Sequence, residues 1–290
     1  MNSVEIRRAE QNDLAGEYGV FVAALEELHR RRGADWTTGQ FDDAGPWAQV
    51  QRHLLVHDGD RCFVAVAEGR VVGFTAAAVR DRFWFFAALF IEPAFQGQGV
   101  GRQLFDLAGS ASSERRVTIT EAMQPVSNGL YARNGMIPVT PMLALEGPVS
   151  GDVGDDSLEA ADPTPEALRA IDNVAYGFDR AVDHEFWRRT STRSTLWLRR
   201  GKPCAYSYGD GLFGIGPVAG LDPFSAASAL GNELVQASGE VRIDIPGSAT
   251  SLVEVALRAG LRFGDPGLLL VSPPDTPPPT SLAIHSYWLL

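Results

Sequence analysis

Cysteine, positive charge and long apolar runs are all scarce in this chain of 290 residues. The only cysteines, Cys62 and Cys204, both stand in apolar, strand-like stretches. Two such thiols point away from a disulfide framework and read as buried side chains in a reducing compartment. Lysine and arginine together number 25 against 36 acidic residues, for a net charge of −11. That balance speaks against non-specific nucleic-acid binding and against an anionic membrane surface, and it suits a cationic or neutral small molecule slightly better. Residues 1–5 carry no basic region followed by an apolar one, so no secretory signal is expected. The longest apolar run, Phe83–Ile91, is too short to span a bilayer. The expectation is a cytoplasmic protein with no nucleic-acid or membrane partner.

What is present is ordinary globular composition, 45% hydrophobic and 21% charged, and enough length for two cores. The first half alternates strands and helices. Residues 4–9 read as a strand, and Asp13 is placed to cap a helix with Leu14, Tyr18, Val22 and Leu25 on one face. Residues 46–57 read as a second helix, and 61–68 and 70–79 as a hairpin turning at Gly69. After the apolar strand 83–91 come a glycine-rich loop and an amphipathic helix. Then follow a strand at 117–122, a short helix at 127–134 ended by Gly135, and a strand at 139–145.

The same order returns after a Gly/Asp-rich connector at 147–156. Residues 168–176 and 185–190 look helical. Gly201 separates two apolar runs as Gly69 does, and Asp222-Pro223 follows an apolar strand as Glu92-Pro93 does. Residues 241–245 repeat the strand at 117, and 256–261 repeat 131–136. The chain therefore reads as two units, 1–147 and 157–290. Five prolines interrupt 273–279, and the apolar end at 281–290 reads as a final strand.

The most informative segment runs from Leu89 to Leu104. In it Gln96-Gly97-Gln98-Gly99-Val100-Gly101 enters a helix directly. Such a loop turns several free backbone N–H groups and the positive end of a helix dipole toward one point, a place for a pyrophosphate. Glycine matters there because a Cβ holds phosphate oxygens away from the backbone. In the ungapped register that runs on from the proline, Gln96, Gly97, Gly99 and Gly101 become Ala226, Ala227, Ala229 and Gly231; in the later match of 131–136 with 256–261, Tyr131 becomes Ala256. The second unit is therefore expected to be unable to bind the same ligand. A dinucleotide fold remains a rival reading of the loop. It needs the glycines after the first strand of a parallel sheet and an acidic residue about 20 positions on, whereas here they follow the fourth strand, behind a hairpin.

These residues resemble the GNAT acyltransferase superfamily. Gln96, Gly99 and Gly101 match its Gln/Arg-x-x-Gly-x-Gly/Ala loop between strand and helix. Leu130-Tyr131, followed by Ala132-Arg133-Asn134-Gly135-Met136, matches its second element. The whole chain is similar to tandem GNAT proteins with an intact first unit and a degenerate second one. The resemblance implies an α/β fold of two GNAT-like units, each a mixed, mostly antiparallel sheet flanked by helices. It implies acetyl-CoA, or another acyl-CoA, as donor, and no metal. Backbone N–H groups of Gly97, Gln98, Gly99, Val100, Gly101 and Arg102 would hold the pyrophosphate, and the strand Leu89, Phe90, Ile91 would pair with the pantetheine arm. Many members carry an Asn seven residues before the Tyr; here Gln124 stands there, and Asn128, one turn before Tyr131, could share its task.

An amine must lose its proton before it attacks a thioester, since a free alkylamine has a pKa of about 10. A general base is therefore useful, and the departing thiolate benefits from an acid. The resemblance gives Tyr131 the role of acid, against the plainer reading of a core Tyr with its hydroxyl at the rim. Glu121 is the candidate base, because the repeat has Ile245 there; a solvated strand carboxylate is the alternative. Glu92 reads as a turn residue. Glu26, Glu27 and His29 read as a charged helix face, and His53, His57 and Asp58 as too few for a metal site. No Cys or Ser is placed for a covalent acyl-enzyme. The expected reaction is direct transfer to a small-molecule amine, with a homodimer possible. A non-catalytic acyl-CoA-binding module is the alternative.

Overall fold

The computed structural model describes residues 4–33, 44–109 and 114–290. The chain is α/β, with mostly antiparallel pairing between its strands and helices packed on them. Its contacts divide it into two compact units, residues 1–116 and 117–290.

The first unit runs β1 (Glu5–Arg8), α1 (Leu14–Arg31), α2 (Ala44–Asp58), β2 (Phe63–Ala67), β3 (Arg70–Arg80), β4 (Phe83–Ile91) and α3 (Val100–Leu107). Its strands lie in the order β1-β2-β3-β4. The β2–β3 hairpin turns through Glu68 and Gly69, both left-handed at φ 52° and 78°, which matches the twist of the flanking strands. An aromatic cluster of Phe21, Trp47, Phe74 and Phe90 joins α1 and α2 to the sheet. Leu104 and Val100 of α3 pack with Ala65, Val72, Leu89 and Ile91.

A β-bulge between Ala76 and Ala77 leaves Ala87 of β4 without a partner in the register. Ahead of the bulge, Trp84 and Phe86 meet Phe105 of α3. Beyond it, Leu89 and Ile91 take up the packing on α3. The extra residue thus moves the α3-facing positions from even to odd numbers.

Two details of α1 differ from the sequence reading. The Asp13 carboxylate does not cap α1; it accepts the Glu10 N–H at 2.8 Å and a two-point ion pair from Arg7 at 2.7 Å. The buried face of α1 is Leu14, Glu17, Val20, Phe21 and Leu28, with Tyr18 only partly covered. Glu17 borders a small cavity lined also by Leu14, Gln51, Leu55, Cys62 and Thr75.

The second unit runs β5 (Arg115–Glu121), α4 (Pro125–Arg133), β6 (Ile137–Pro148), β7 (Leu158–Ala161), α5 (Pro165–Ala175), α6 (Ala181–Thr190), β8 (Arg193–Arg199), β9 (Lys202–Gly209), β10 (Val218–Gly220), α7 (Pro223–Gln236), β11 (Glu240–Pro246), α8 (Thr250–Arg258), β12 (Arg262–Phe263), β13 (Gly267–Ser272) and β14 (Leu282–Ala283). One run of strands has the order β14-β10-β9-β8-β7, another β5-β13-β6-β11. The final strand expected over 281–290 is reduced to the two residues of β14.

The internal repeat is visible in the register. Arg200 and Gly201, at φ 54° and 71°, form the same left-handed turn as Glu68 and Gly69. The β2–β3 pairing shifts between Ala65 and Val66, the β8–β9 pairing between Trp197 and Leu198, so both bulges stand at the same offset from their turn glycines. Gly135 and Gly260, at φ 76° and 96°, close α4 and α8 alike.

The last strands of the two repeats are exchanged. β13 lies between β5 and β6, and β6 pairs with β11 from Met142–Pro246 to Pro148–Glu240. Each final strand thus borders the other repeat. This pairing draws β6 into the second compact unit, whose border falls at 116/117, away from the connector at 147–156.

Candidate functional site

Glu92 follows β4 directly. Its N–H donates to the Val72 carbonyl at 2.9 Å and its carboxylate pairs with Arg70. A single 3-10 turn, Pro93–Phe95, then leads into the glycine loop. The side chain of Gln96 turns back to donate to the Ile91 carbonyl at 3.0 Å, and that of Gln98 to the Ala94 carbonyl at 2.8 Å. Both glutamines therefore brace the loop and leave its main chain facing outward.

Gly97 and Gly99 have φ values of 76° and 86°, and neither has any atom within 4 Å of where a Cβ would stand. Their handedness requires glycine, and the space beyond them is open. Gly101 is different, since a Cβ there would touch Ile91 at 3.5 Å, an ordinary contact. The first backbone bond of α3 runs from the Gln103 N–H to the Gly99 carbonyl at 3.1 Å. Among the described residues, none accepts from the main-chain N–H groups of Gly97 to Arg102. Together with the positive end of the α3 dipole they form a donor cradle for an anion. Val100, Leu104 and Phe105 are buried and fix α3; the Arg102 side chain is 80% exposed beside Asp106. These features fit the diphosphate of an acyl-CoA.

The backbone of Leu89, Phe90 and Ile91 pairs with Thr75, Phe74 and Gly73 of β3. Leu89 and Ile91 direct their side chains to α3, while Phe90 stacks on Phe74 with centroids 5.4 Å apart.

In the second unit, Glu121 ends β5, partly buried. Gln124 caps α4, its Oε1 accepting the Val126 N–H at 3.3 Å. Asn128 donates through Nδ2 to the Ala122 carbonyl at 3.1 Å and to the Glu121 carbonyl at 3.5 Å. Its buried Oδ1 has no hydrogen-bond partner. Tyr131 is buried, and its hydroxyl bonds Thr118 of β5 and Ser127 of α4. Burial pushes the phenol well above its usual range, so it stays protonated, the form an acid needs.

The counterpart of the glycine loop is closed. Asp222 accepts the Ser225 N–H and hydroxyl at 2.8 and 2.7 Å, so a carboxylate of the chain itself sits at the N-terminus of α7. Gly231, the counterpart of Gly101, lies so close to the connector that a Cβ would stand 2.2 Å from the Val153 carbonyl oxygen.

Residues 58–135 match the family model for an acetyltransferase (GNAT) domain. An uncharacterised N-acetyltransferase of Archaeoglobus fulgidus is 30% identical over 128 residues, 41% of this chain and 80% of the relative. The chain belongs to the GNAT acetyltransferase family. The fold is similar over the whole chain to a putative acetyltransferase from Pyrococcus horikoshii, at TM-score 0.79 and 16% identity, covering 100% of this chain and 97% of that one. It is also similar to a tandem GNAT protein from the clavulanic acid biosynthesis pathway, at TM-score 0.56 and 14% identity, covering 93% and 98%.

Sequence reasoning missed the surroundings of Glu121. Arg242 and Tyr287 lie within electrostatic reach of it, and both come from the second repeat. Only the strand exchange brings them there, and no local motif announces it. Both cysteines are free and buried, and burial raises both thiols. Among the described residues no group of three or more His, Cys, Asp and Glu side chains is arranged to hold a metal. His184 belongs instead to a buried network with Asp172, Arg180, Tyr206 and Tyr208. None of the helices is long and apolar enough to cross a membrane, among the described residues.

Proposed function

We propose that the chain transfers acetyl from acetyl-CoA to a primary amine of a small molecule, directly and within a ternary complex. The carrying observation is the loop at Gly97 and Gly99, where two left-handed glycines face open space and the N–H groups up to Arg102 precede the first helical bond. A diphosphate answers each of those features at once. The family resemblance would give Asn128, whose buried Oδ1 has no hydrogen-bond partner, the task of accepting an amide N–H of the pantetheine arm.

In the reaction the amine nitrogen attacks the thioester carbonyl carbon. A C–N bond forms, the C–S bond breaks, and CoA departs as a thiolate. Glu121, directly or through water, takes the proton the amine must lose, and Tyr131 gives one to the thiolate. The acceptor class rests on the family resemblance and on the net charge of −11, which favours a cation.

Calorimetric titration with acetyl-CoA tests the donor. Micromolar binding, lost in Gly99→Glu with the fold intact, is the expected result; no binding by the folded native chain overturns the reading. A non-catalytic acyl-CoA-binding module is favoured by one observation, the burial of the Tyr131 hydroxyl between Thr118 and Ser127. Tyr131→Phe separates the two: acetyl transfer drops at least tenfold at unchanged acetyl-CoA affinity in an enzyme, and binding alone persists in a module.

A further inference from the structure

The small cavity beside Glu17 lies wholly within the first unit, where α1, α2 and the sheet meet. Leu14 of α1 and Leu55 of α2 give it apolar walls, and Glu17, Gln51, Cys62 and Thr75 are its polar lining. It leaves about 10 Å³ in which the centre of a water molecule can lie, about the room that one water needs.

Two of the four polar side chains already have partners. The Cys62 Sγ donates to the Asp58 carbonyl at 3.5 Å, and the Thr75 hydroxyl donates to the Ala88 carbonyl at 2.8 Å. The other two do not. Gln51 is 3% exposed, and its buried Nε2 has no hydrogen-bond partner. Glu17 is 5% exposed, and among the described residues no hydrogen bond reaches its carboxyl. Buried amides and carboxyls are nearly always bonded, yet these two line one cavity without bonding each other.

The protonation of the site is set by its surroundings. Burial, and after it the charge of Asp13, keeps Glu17 protonated at neutral pH; Asp13 is itself paired with Arg7. Burial also keeps the Cys62 thiol protonated, with Glu17, Asp58 and Asp60 acting in the same direction. A protonated carboxyl has one proton to give and lone pairs to accept with. The Gln51 amide nitrogen can only donate.

We propose that the cavity is the binding site of one water molecule, held between the Gln51 amide and the Glu17 carboxyl. The water oxygen accepts from Gln51 Nε2, and the Glu17 carboxyl takes a proton from the water or gives it one. A cation of similar size does not answer the Gln51 N–H, because it offers no lone pair. The water thus bonds α1 to α2 where their side chains do not meet. This inference is independent of the acyl-transfer reading.

A high-resolution crystal structure of the full chain, grown without ammonium salts, tests it. The expected result is a single density peak within about 2.7–3.2 Å of both Gln51 Nε2 and a Glu17 carboxyl oxygen. Gln51→Met keeps the length of the side chain and removes its polar atoms, so the peak should vanish. Glu17→Gln leaves a neutral group that both donates and accepts, so the peak should stay. An empty cavity in the native chain, a peak bonded to only one of the two residues, or a peak that persists in Gln51→Met overturns the proposal. Should Gln51→Met not fold, the native and Glu17→Gln maps decide by the same criteria.

Discussion

Asp222 holds Ser225 twice, through the main-chain N–H at 2.8 Å and the hydroxyl at 2.7 Å. Those bonds outweigh the effect of burial and hold the Asp222 carboxyl below its usual range. The second repeat thus satisfies its helix N-terminus with its own side chain, where the first leaves donors for a ligand. Asp222→Ala should destabilise the chain by about 1 kcal/mol, the usual value of an N-cap. Thermal unfolding measures this, and acetyl-CoA affinity should not change.

Gly99 carries the left-handed turn into α3 at φ 86°. Gly99→Ala should cost about 1 kcal/mol of stability through the αL penalty. Acetyl-CoA binding should weaken more than stability does, since the new methyl group projects into the cradle. Calorimetry on the variant and the native chain checks both, and equal affinities would remove the loop from the donor site.

Glu17 is buried, and burial, assisted by Asp13, raises its carboxyl from 4.5 to about 8. The folded chain thus holds the proton that the unfolded chain releases. Stability from this group is complete below the ordinary carboxylate range and is lost as pH rises toward 8. The loss by pH 7 is on the order of 3 kcal/mol at about 1.4 kcal/mol per unit. Glu17→Gln should remove it. Urea unfolding at acid and at neutral pH should show a decline in the native chain and a flatter profile in the variant.

Asp172 and Arg180 form a fully buried pair at 3.0 Å. Burial, the largest single influence, would raise the Asp172 carboxyl; Arg180 and His184 together outweigh it and hold the carboxyl low. His184 and Tyr206 bond the same carboxylate at 2.8 and 2.6 Å. Asp172→Asn leaves the Arg180 charge buried without its counter-ion and should cost about 3 kcal/mol or more. A chemical denaturation curve measures this, and a loss below about 1 kcal/mol would show the network to be dispensable.

The sequence revealed most where one short segment decides the outcome. The turn at Gly69, its echo at Gly201, and the strand, glycine loop and helix from 83 to 107 all depend on near neighbours. Hydrophobic spacing was less reliable on α1, where Glu17 faces inward and Tyr18 is only partly covered. Asp13 has the residue type of a cap, yet the Arg7 guanidinium competes successfully for its carboxylate. The exchange of β6 and β13 was not legible, because an apolar strand does not specify its neighbour. The approach of Tyr287 to β5 follows from that exchange and was hidden with it.

The exchange also bears on how such a chain could arise and change. Each repeat's final strand completes the other's sheet, from Met142–Pro246 to Pro148–Glu240 on one side and along β5 on the other. Neither copy can be discarded without baring a sheet edge in the copy that remains, and an open edge invites other chains to pair with it. The duplicated half whose counterpart of the glycine loop has closed still supplies the strand that covers its partner's sheet edge.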